Sequence, residues 1–250
     1  MTNINNVNNV NISNPSHDVI ALIPAYNEEE NIEEVVRKTI KQEMFPLVVD
    51  DGSTDRTAEL ASKSGAKVIK NDLGKGKAYA MRKGLEYIKN KSNFSDYKCV
   101  VIIDADLQYR PEEAKKLINP ILKGKKIVKG SRNFHKIPFR HMLGNMVWRK
   151  FYNIFSEVEI KDPCCGFIAL SKEVVEKINL KKLSGGYIGD SSLLFEITNN
   201  GFNKEKYIEQ PTVSVKYKNI SPIGRGIRMV LGVLLFILMS GLKRKLGIAN

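Results

Sequence analysis

Two carboxylates one residue apart, Asp104 and Asp106, close the run Val100-Val101-Ile102-Ile103-Asp104-Ala105-Asp106-Leu107-Gln108. Four consecutive β-branched residues predict a strand buried on both faces. Such a strand, ending in Asp-x-Asp with the Gln108 amide two residues on, delivers fixed negative charge to one edge of a sheet. Hard oxygen donors in that position suit a divalent cation that bridges to substrate phosphates. The competing assignment is a solvated acidic turn capping a helix that opens at Pro111-Glu112-Glu113, and the spacing alone favours neither.

Four other loops carry matching chemistry. Pro24-Ala25-Tyr26-Asn27-Glu28 follows an apolar run at 19–23, and Asp50-Asp51-Gly52-Ser53-Thr54-Asp55 follows one at 47–49. Gly74-Lys75-Gly76-Lys77 follows a strand near 66–69, and Gly130-Ser131-Arg132 follows 127–129. Lys75, Lys77 and Arg132 beside a metal would neutralise a diphosphate. Asp51 can accept hydrogen bonds from a base or ribose, and Tyr26 can pack against a base. The Gly-Lys loop has neither the glycine spacing nor the Ser or Thr of a Walker A loop. No Gly-x-Gly-x-x-Gly follows the first strand, which argues against dinucleotide binding. Plainer roles compete for some residues: Asp55 as a helix cap, Glu29 and Glu30 as solvated groups, Lys77 as a solvated first-turn residue. His17, His135 and His141 show no metal-ligand spacing.

A scaffold must bring these loops together. After the first strand, Asn27 is a good N-cap, Glu28 to Glu30 suit a positive helix start, and Ile32, Val35, Val36 and Ile40 form an apolar stripe. Further helices are expected through Ala58, Leu60 and Ala61, over about 78–88, and after Pro111 with the proline in the first turn. Strand and helix alternate five times at spacings too long for hairpins. That pattern predicts an α/β fold, a mainly parallel sheet with helices on both faces. Ligands of such sheets bind outside the carboxyl ends of the strands, where every polar motif above lies. The second half is less regular: a helix over 142–155, a strand over 162–170, and a helix capped by Ser171. A glycine-rich loop at 185–190 then enters a helix reaching about 199, and a strand follows at 211–215.

The net charge of +13 suits nucleic acid, an anionic membrane or phosphorylated small molecules. Dispersed basic residues argue against nucleic acid. Cys99, Cys164 and Cys165 are odd in number and lack Cys-x-x-Cys spacing, so they read as packing residues in a reducing compartment. Residues 1–16 are Asn-rich, without the basic and apolar regions of a signal peptide, and are expected to form a disordered tail. Residues 17–226 form the expected catalytic domain, and 227–250 an apolar helix with basic flanks. Within it, 229–242 is a run of 14 uncharged residues, short for a span that needs about 20. Arg225, Arg228, Lys243, Arg244 and Lys245 flank it, and each is worth about 1 kcal/mol near an anionic surface. An interfacial helix is therefore expected, with a core helix, a short span or a self-association surface as alternatives.

With these residues in place, the chain closely resembles the family 2 glycosyltransferases, which adopt the GT-A fold. The matching stretches are Ile23-Pro24-Ala25-Tyr26-Asn27-Glu28, Val49-Asp50-Asp51-Gly52-Ser53-Thr54-Asp55, Gly74-Lys75-Gly76, Asp104-Ala105-Asp106-Leu107-Gln108 and Gly130-Ser131-Arg132. Asp162 and Cys165-Gly166-Phe167 are similar to a later Asp and Gly-Phe of the family, so the resemblance covers about 18–215. Asp-Ala-Asp-Leu-Gln and Gly-Lys-Gly look most like the dolichyl-phosphate mannose synthases and bacterial polyprenyl-phosphate sugar transferases. The resemblance implies that Pro24, Tyr26, Glu28 and Asp51 hold the nucleotide. It also implies that Asp104, Ala105 and Asp106 bind the nucleotide sugar and Mg²⁺ or Mn²⁺, with Gln108 as a further ligand, and that Arg132 binds phosphate. Two departures stand out. Where the family often has Asp-x-Glu, this chain has Asp190 and then Ser192; and Lys216, Lys218 and Arg225 do not align singly with the basic residues of the mannose synthases.

The expected reaction is inverting transfer of a sugar from GDP-mannose or a UDP-hexose to a polyprenyl or dolichyl phosphate. Asp104, Asp106 and Asp190 are the expected catalytic residues, Asp190 positioning a sugar hydroxyl or, with a hydroxyl acceptor, serving as base. The alternative is a soluble transferase acting on a glycan hydroxyl; a nucleotidyltransferase fits the loops less well. The expected setting is cytoplasmic and peripheral on the inner face of the cell membrane. The terminal helix offers a surface for self-association or for a membrane-protein partner.

Overall fold

The computed structural model describes residues 18–71, 74–91, 94, 96–133, 146, 149–150, 152–154, 158–183, 189–204 and 207–216, with 189–191 and 199 through their backbone. The expected tail at 1–16 and helix at 227–250 lie outside the described residues, as do the three histidines.

Among the described residues, seven strands form one sheet. β1 (Val19–Ala25) is flanked in parallel by β2 (Phe45–Asp50) and β4 (Cys99–Ile102), and β3 (Lys67–Lys70) lies outside β2. Beyond β4 come β7 (Ile168–Ser171), β5 (Ile127–Lys129) and β8 (Ile208–Glu209), giving the order β3-β2-β1-β4-β7-β5-β8. β6 (Ser131–Arg132) and β9 (Thr212–Val213) form a separate parallel pair. Helices with described bounds include α1 (Ile32–Lys41), α2 (Thr57–Lys63), α3 (Lys77–Asn90), α4 (Lys115–Leu122), α5 (Lys172–Lys177) and α6 (Gly189–Ile197), and residues 146, 149–150 and 152–154 are also helical.

Side chains alternate across each strand and so feed two cores. Ile20, Leu22, Leu47, Val49, Val100 and Ile102 meet Met81, Leu85 and Ile88 of α3 on one face. Ala21, Ile23, Val48 and Val101 meet Val35 and Val36 of α1 and Leu117 and Ile121 of α4 on the other. All four residues of β4 are buried, as a strand covered on both faces requires.

The expected fold class is observed, with one difference in topology. β7 runs antiparallel to both neighbours, pairing Val101 with Ala169 and Val128 with Ala169. A short apolar strand carries the same pattern in either direction, and the side of the sheet from which the chain enters decides its sense. The strand expected over 162–170 begins at Ile168, and 162–167 form a loop at the carboxyl edge of the sheet. The Asn27 cap is also displaced. α1 opens after Asn31, while Asn27, at φ 53°, accepts from Thr54 N at 2.9 Å and donates its own N–H to Ser53 Oγ. A left-handed Asn thus ties the first loop to the second. Asp55 stands one residue before the N-cap of α2, Arg56, rather than at it; its Oδ1 accepts from Thr57 N at 2.9 Å, and Oδ2 accepts from Glu29 N at 3.2 Å. Ser171 caps α5 through Val174 N as expected. Cys99 and Cys165 are buried free thiols in the core. Among the described residues no helix is long and apolar enough to cross a membrane.

Candidate active site

The strand ends converge through an unbroken path of contacts. Pro24 is buried at the end of β1, and Tyr26 beyond it is 54% exposed. A Cβ placed on Gly74 would meet Tyr26 Cε2 at 3.6 Å and the Asp51 carbonyl oxygen at 3.2 Å, so the lysine-bearing loop lies against both. Asp51 is 3% exposed; Oδ2 accepts from Gly76 N at 2.5 Å and Oδ1 from Asn71 Nδ2 at 3.1 Å. Its carboxylate therefore anchors the start of α3 to the end of β2. Gly76 holds φ 91°, a value that favours glycine. Lys75 is exposed and places its ammonium 4.7 Å from the Tyr79 ring centroid. Glu28 lies at the margin, where Oε2 accepts from Asn31 Nδ2 at 2.7 Å and its N–H donates to Thr57 Oγ1.

The path continues from Gly76 to Lys77, whose ammonium lies 2.6 Å from Asp104 Oδ1. The solvated role for Lys77 is therefore not observed. Asp106, half-buried, accepts from Gln108 N at 2.9 Å through Oδ1, closing a tight turn in which Leu107 takes φ 60°. Ala105 is buried between the two carboxylates, and the Gln108 carbonyl accepts from Lys216 N at 2.9 Å. Gly166 packs against Asp104 so closely that a Cβ there would lie 2.7 Å from Oδ2 and 2.8 Å from Lys77 Nζ. The Gly166 N–H donates to Tyr109 Oη at 3.3 Å. Burial pushes the Tyr109 hydroxyl well above its ordinary value, so it stays protonated at neutral pH.

Arg132 reaches the same loop from β6. It donates through Nε to Asp162 Oδ2 at 2.6 Å and through Nη2 to Oδ1 at 2.8 Å, and the Asp162 carbonyl accepts from Cys165 N. Buried Lys129 donates to the Cys165 carbonyl. Burial pushes the Cys165 thiol up to about 11, which keeps it an unreactive packing group. Asp190 falls in the first turn of α6, and its side chain lies outside the described residues.

This arrangement sets hydrogen-bonding loops beside two carboxylates, lysines and a directed arginine at one sheet edge. Residues 20–179 match the model of the family described as "Glycosyl transferase family 2". This chain belongs to glycosyl transferase family 2. It is 35% identical over 188 residues to a dolichol-phosphate mannosyltransferase of Pyrococcus furiosus, matching 66% of this chain and 49% of the relative. It is 29% identical over 203 residues to a polyprenol monophosphomannose synthase of Mycolicibacterium smegmatis, with 76% and 75% covered. A glucosyl-3-phosphoglycerate synthase structure from Mycobacterium tuberculosis superposes with TM-score 0.70 at 23% identity, covering 93% of this chain and 81% of that one. Another structure of that synthase, with Mn²⁺, uridine diphosphate and glucosyl-3-phosphoglycerate, gives TM-score 0.68 at 22% identity with 93% and 81% covered. The fold is GT-A, and the protein is a glycosyltransferase.

For a family 2 enzyme the metal must fit the donor set. Among the described residues no three His, Cys, Asp or Glu side chains cluster to hold an ion by themselves. Asp104 and Asp106 offer two hard carboxylates, and a cation there would complete its shell from a diphosphate, a mode that suits Mg²⁺ and Mn²⁺. The residues present fit. Sequence reasoning passed over Tyr109, which directly follows Gln108, and Asn71, which directly follows β3 and whose buried Oδ1 has no partner among the described residues. An amide or phenol immediately after a strand or motif was the available signal.

Proposed function

We propose that this glycosyltransferase transfers a sugar, with inversion, from a nucleoside-diphosphate sugar to the phosphate of a polyprenyl lipid. The observation that carries the reading is Asp104, at the carboxyl end of β4, set against Lys77 and Gly166 and linked through Gly76 to Asp51 and through Gly74 to Tyr26. The acceptor class is supported by the two relatives whose names specify a polyprenyl or dolichol phosphate.

Tyr26 packs on the base, Asp51 keeps the Gly74–Lys77 loop against it, and the Asn71 amide oxygen accepts a hydrogen bond from base or ribose. Lys75, Lys77 and Arg132 take up diphosphate charge, Asp162 holding Arg132 in direction. Asp104, Asp106 and the Gln108 side chain hold Mg²⁺ or Mn²⁺, which when bound neutralises the negative charge growing on the departing diphosphate. The acceptor phosphate oxygen attacks the anomeric carbon from the opposite face, and the glycosidic pair leaves with the nucleoside diphosphate. A phosphate monoester, with its second pKa near 6, is largely ionised at neutral pH and needs little help from a base. Asp190 then positions a sugar hydroxyl. The apolar run at 229–242 with its basic flanks holds the enzyme on the inner face of the cell membrane, where the lipid lies.

A radiolabelled transfer panel tests this: several UDP and GDP sugars, each with and without polyprenyl phosphate. Solvent-extractable label that requires polyprenyl phosphate is expected. Transfer to glycan acceptors in its absence, with no lipid product, would overturn the acceptor.

A further inference from the structure

Lys77 is the first residue of α3, and its ammonium sits 2.6 Å from Asp104 Oδ1 with side-chain exposures of 31% and 22%. This half-buried ion pair occupies one of the two carboxylates assigned to the divalent cation. Gly166 makes room for it, since any Cβ there would press on both Asp104 Oδ2 and Lys77 Nζ. Two features fix where the lysine starts: Gly76 N donates to Asp51, and the Lys77 backbone begins α3.

Lys77 holds Oδ1 and Gly166 packs against Oδ2, so a dication on this carboxylate comes within a few ångströms of the ammonium and repels it. Entry of the cation therefore favours departure of Lys77 from Oδ1. In the proposed site the diphosphate is an anion that can receive the displaced ammonium, on a four-carbon stem that starts at the helix N-terminus. Resting on the proposed metal and diphosphate site, we infer that Lys77 is an exchangeable counter-cation of Asp104. It blocks the metal site when the donor is absent and passes to the diphosphate when metal and nucleotide bind together. The consequence is coupling: the cation alone binds weakly, nucleotide strengthens it, and by linkage the cation strengthens nucleotide binding by the same factor.

The test titrates Mn²⁺ into the 250-residue chain, reading free Mn²⁺ by electron paramagnetic resonance, first without nucleotide and then with UDP or GDP. Lys77→Met is expected to bind Mn²⁺ alone about 10-fold more tightly than the parent, and to bind the nucleoside diphosphate at saturating Mn²⁺ about 10-fold more weakly. Lys77→Arg, which keeps the charge, should return both constants toward the parent values. A residue that merely supports the helix would not raise metal affinity. If Lys77→Met does not fold, judged by its circular dichroism, Lys77→Gln carries the same comparison. Mn²⁺ binding that is lost in Asp104→Asn yet equal in the parent and the Lys77 variant would overturn the inference and leave the metal site standing. No Mn²⁺ binding to any of the proteins, even with nucleotide, would overturn the metal site and the inference with it.

Discussion

Arg132 and Asp162 meet as a bidentate pair, Nε at 2.6 Å from Oδ2 and Nη2 at 2.8 Å from Oδ1, with the Arg132 N–H donating to Oδ2 at 3.1 Å. The Asp162 side chain is fully buried and that of Arg132 is 13% exposed. A planar guanidinium gripped along one edge by a buried carboxylate has a fixed direction. Replacing Asp162 by Asn leaves a buried cation without its charge partner, and a loss of about 3–5 kcal/mol is expected. Urea unfolding measures it; a loss under about 1 kcal/mol would show that the pair does not organise the loop.

Asp106 separates charge from geometry. Its Oδ1 accepts from Gln108 N at 2.9 Å, a bond that an Asn carbonyl preserves. Asp106→Asn should therefore fold with an unchanged unfolding midpoint while transfer falls by about 100-fold or more, through weaker stabilisation of the leaving diphosphate. Retained activity would sink the metal role. Chelation of divalent ions should inactivate the parent protein, and added Mg²⁺ or Mn²⁺ should restore it.

Two glycines make opposite predictions. An alanine methyl at Gly84 would lie 2.2 Å from Leu22 Cδ1 and 3.1 Å from Val49 Cγ2, inside the core between α3 and the sheet. Gly84→Ala should cost about 1–3 kcal/mol of stability by overpacking. At Gly166 the obstructing atoms are the ends of two polar side chains, Asp104 and Lys77, which can yield. Gly166→Ala should leave the unfolding midpoint nearly unchanged and raise the donor KM. Equal stability losses in both variants would contradict this division.

Glu173 supplies a pH-dependent contribution. Hydrogen bonds from Lys126, then from Lys177, hold its carboxyl down at about 2 against an ordinary 4.5. A folded-state value below the unfolded one means stability that is present above pH 4.5 and is lost as pH falls from 4.5 towards 2. The carboxylate is 40% exposed, so the contribution is at most about 1 kcal/mol and is screened by salt. Glu173→Gln should be less stable than the parent at pH 7 and equal to it below pH 2, as read by denaturant midpoints across pH; a constant difference at all pH values would exclude the mechanism.

Much of the site was legible because its signals are local. Residues 127–129 were expected as a strand and are one, and the polar groups of the first five strand-end loops stand at the carboxyl edge as expected. The cap at Ser171 and the Asp55 bond to Thr57 N involve neighbours within three residues. The Asn27 cap was misplaced because its partners, Thr54 and Ser53, come from another loop, 27 and 26 residues away.

What the sequence determined by itself was which residues end strands and which carry charge, because alternation, helical periodicity and turn composition act over a few residues. It also determined the family, through five motifs in order. Only the tertiary structure decided that β7 enters antiparallel between β4 and β5, since an apolar run has no direction of its own. Only the tertiary structure, likewise, matched the charges: Lys77 with Asp104 and Arg132 with Asp162. Each of these partners comes from a different segment of the chain, and charge type alone does not say which cation a buried carboxylate will meet.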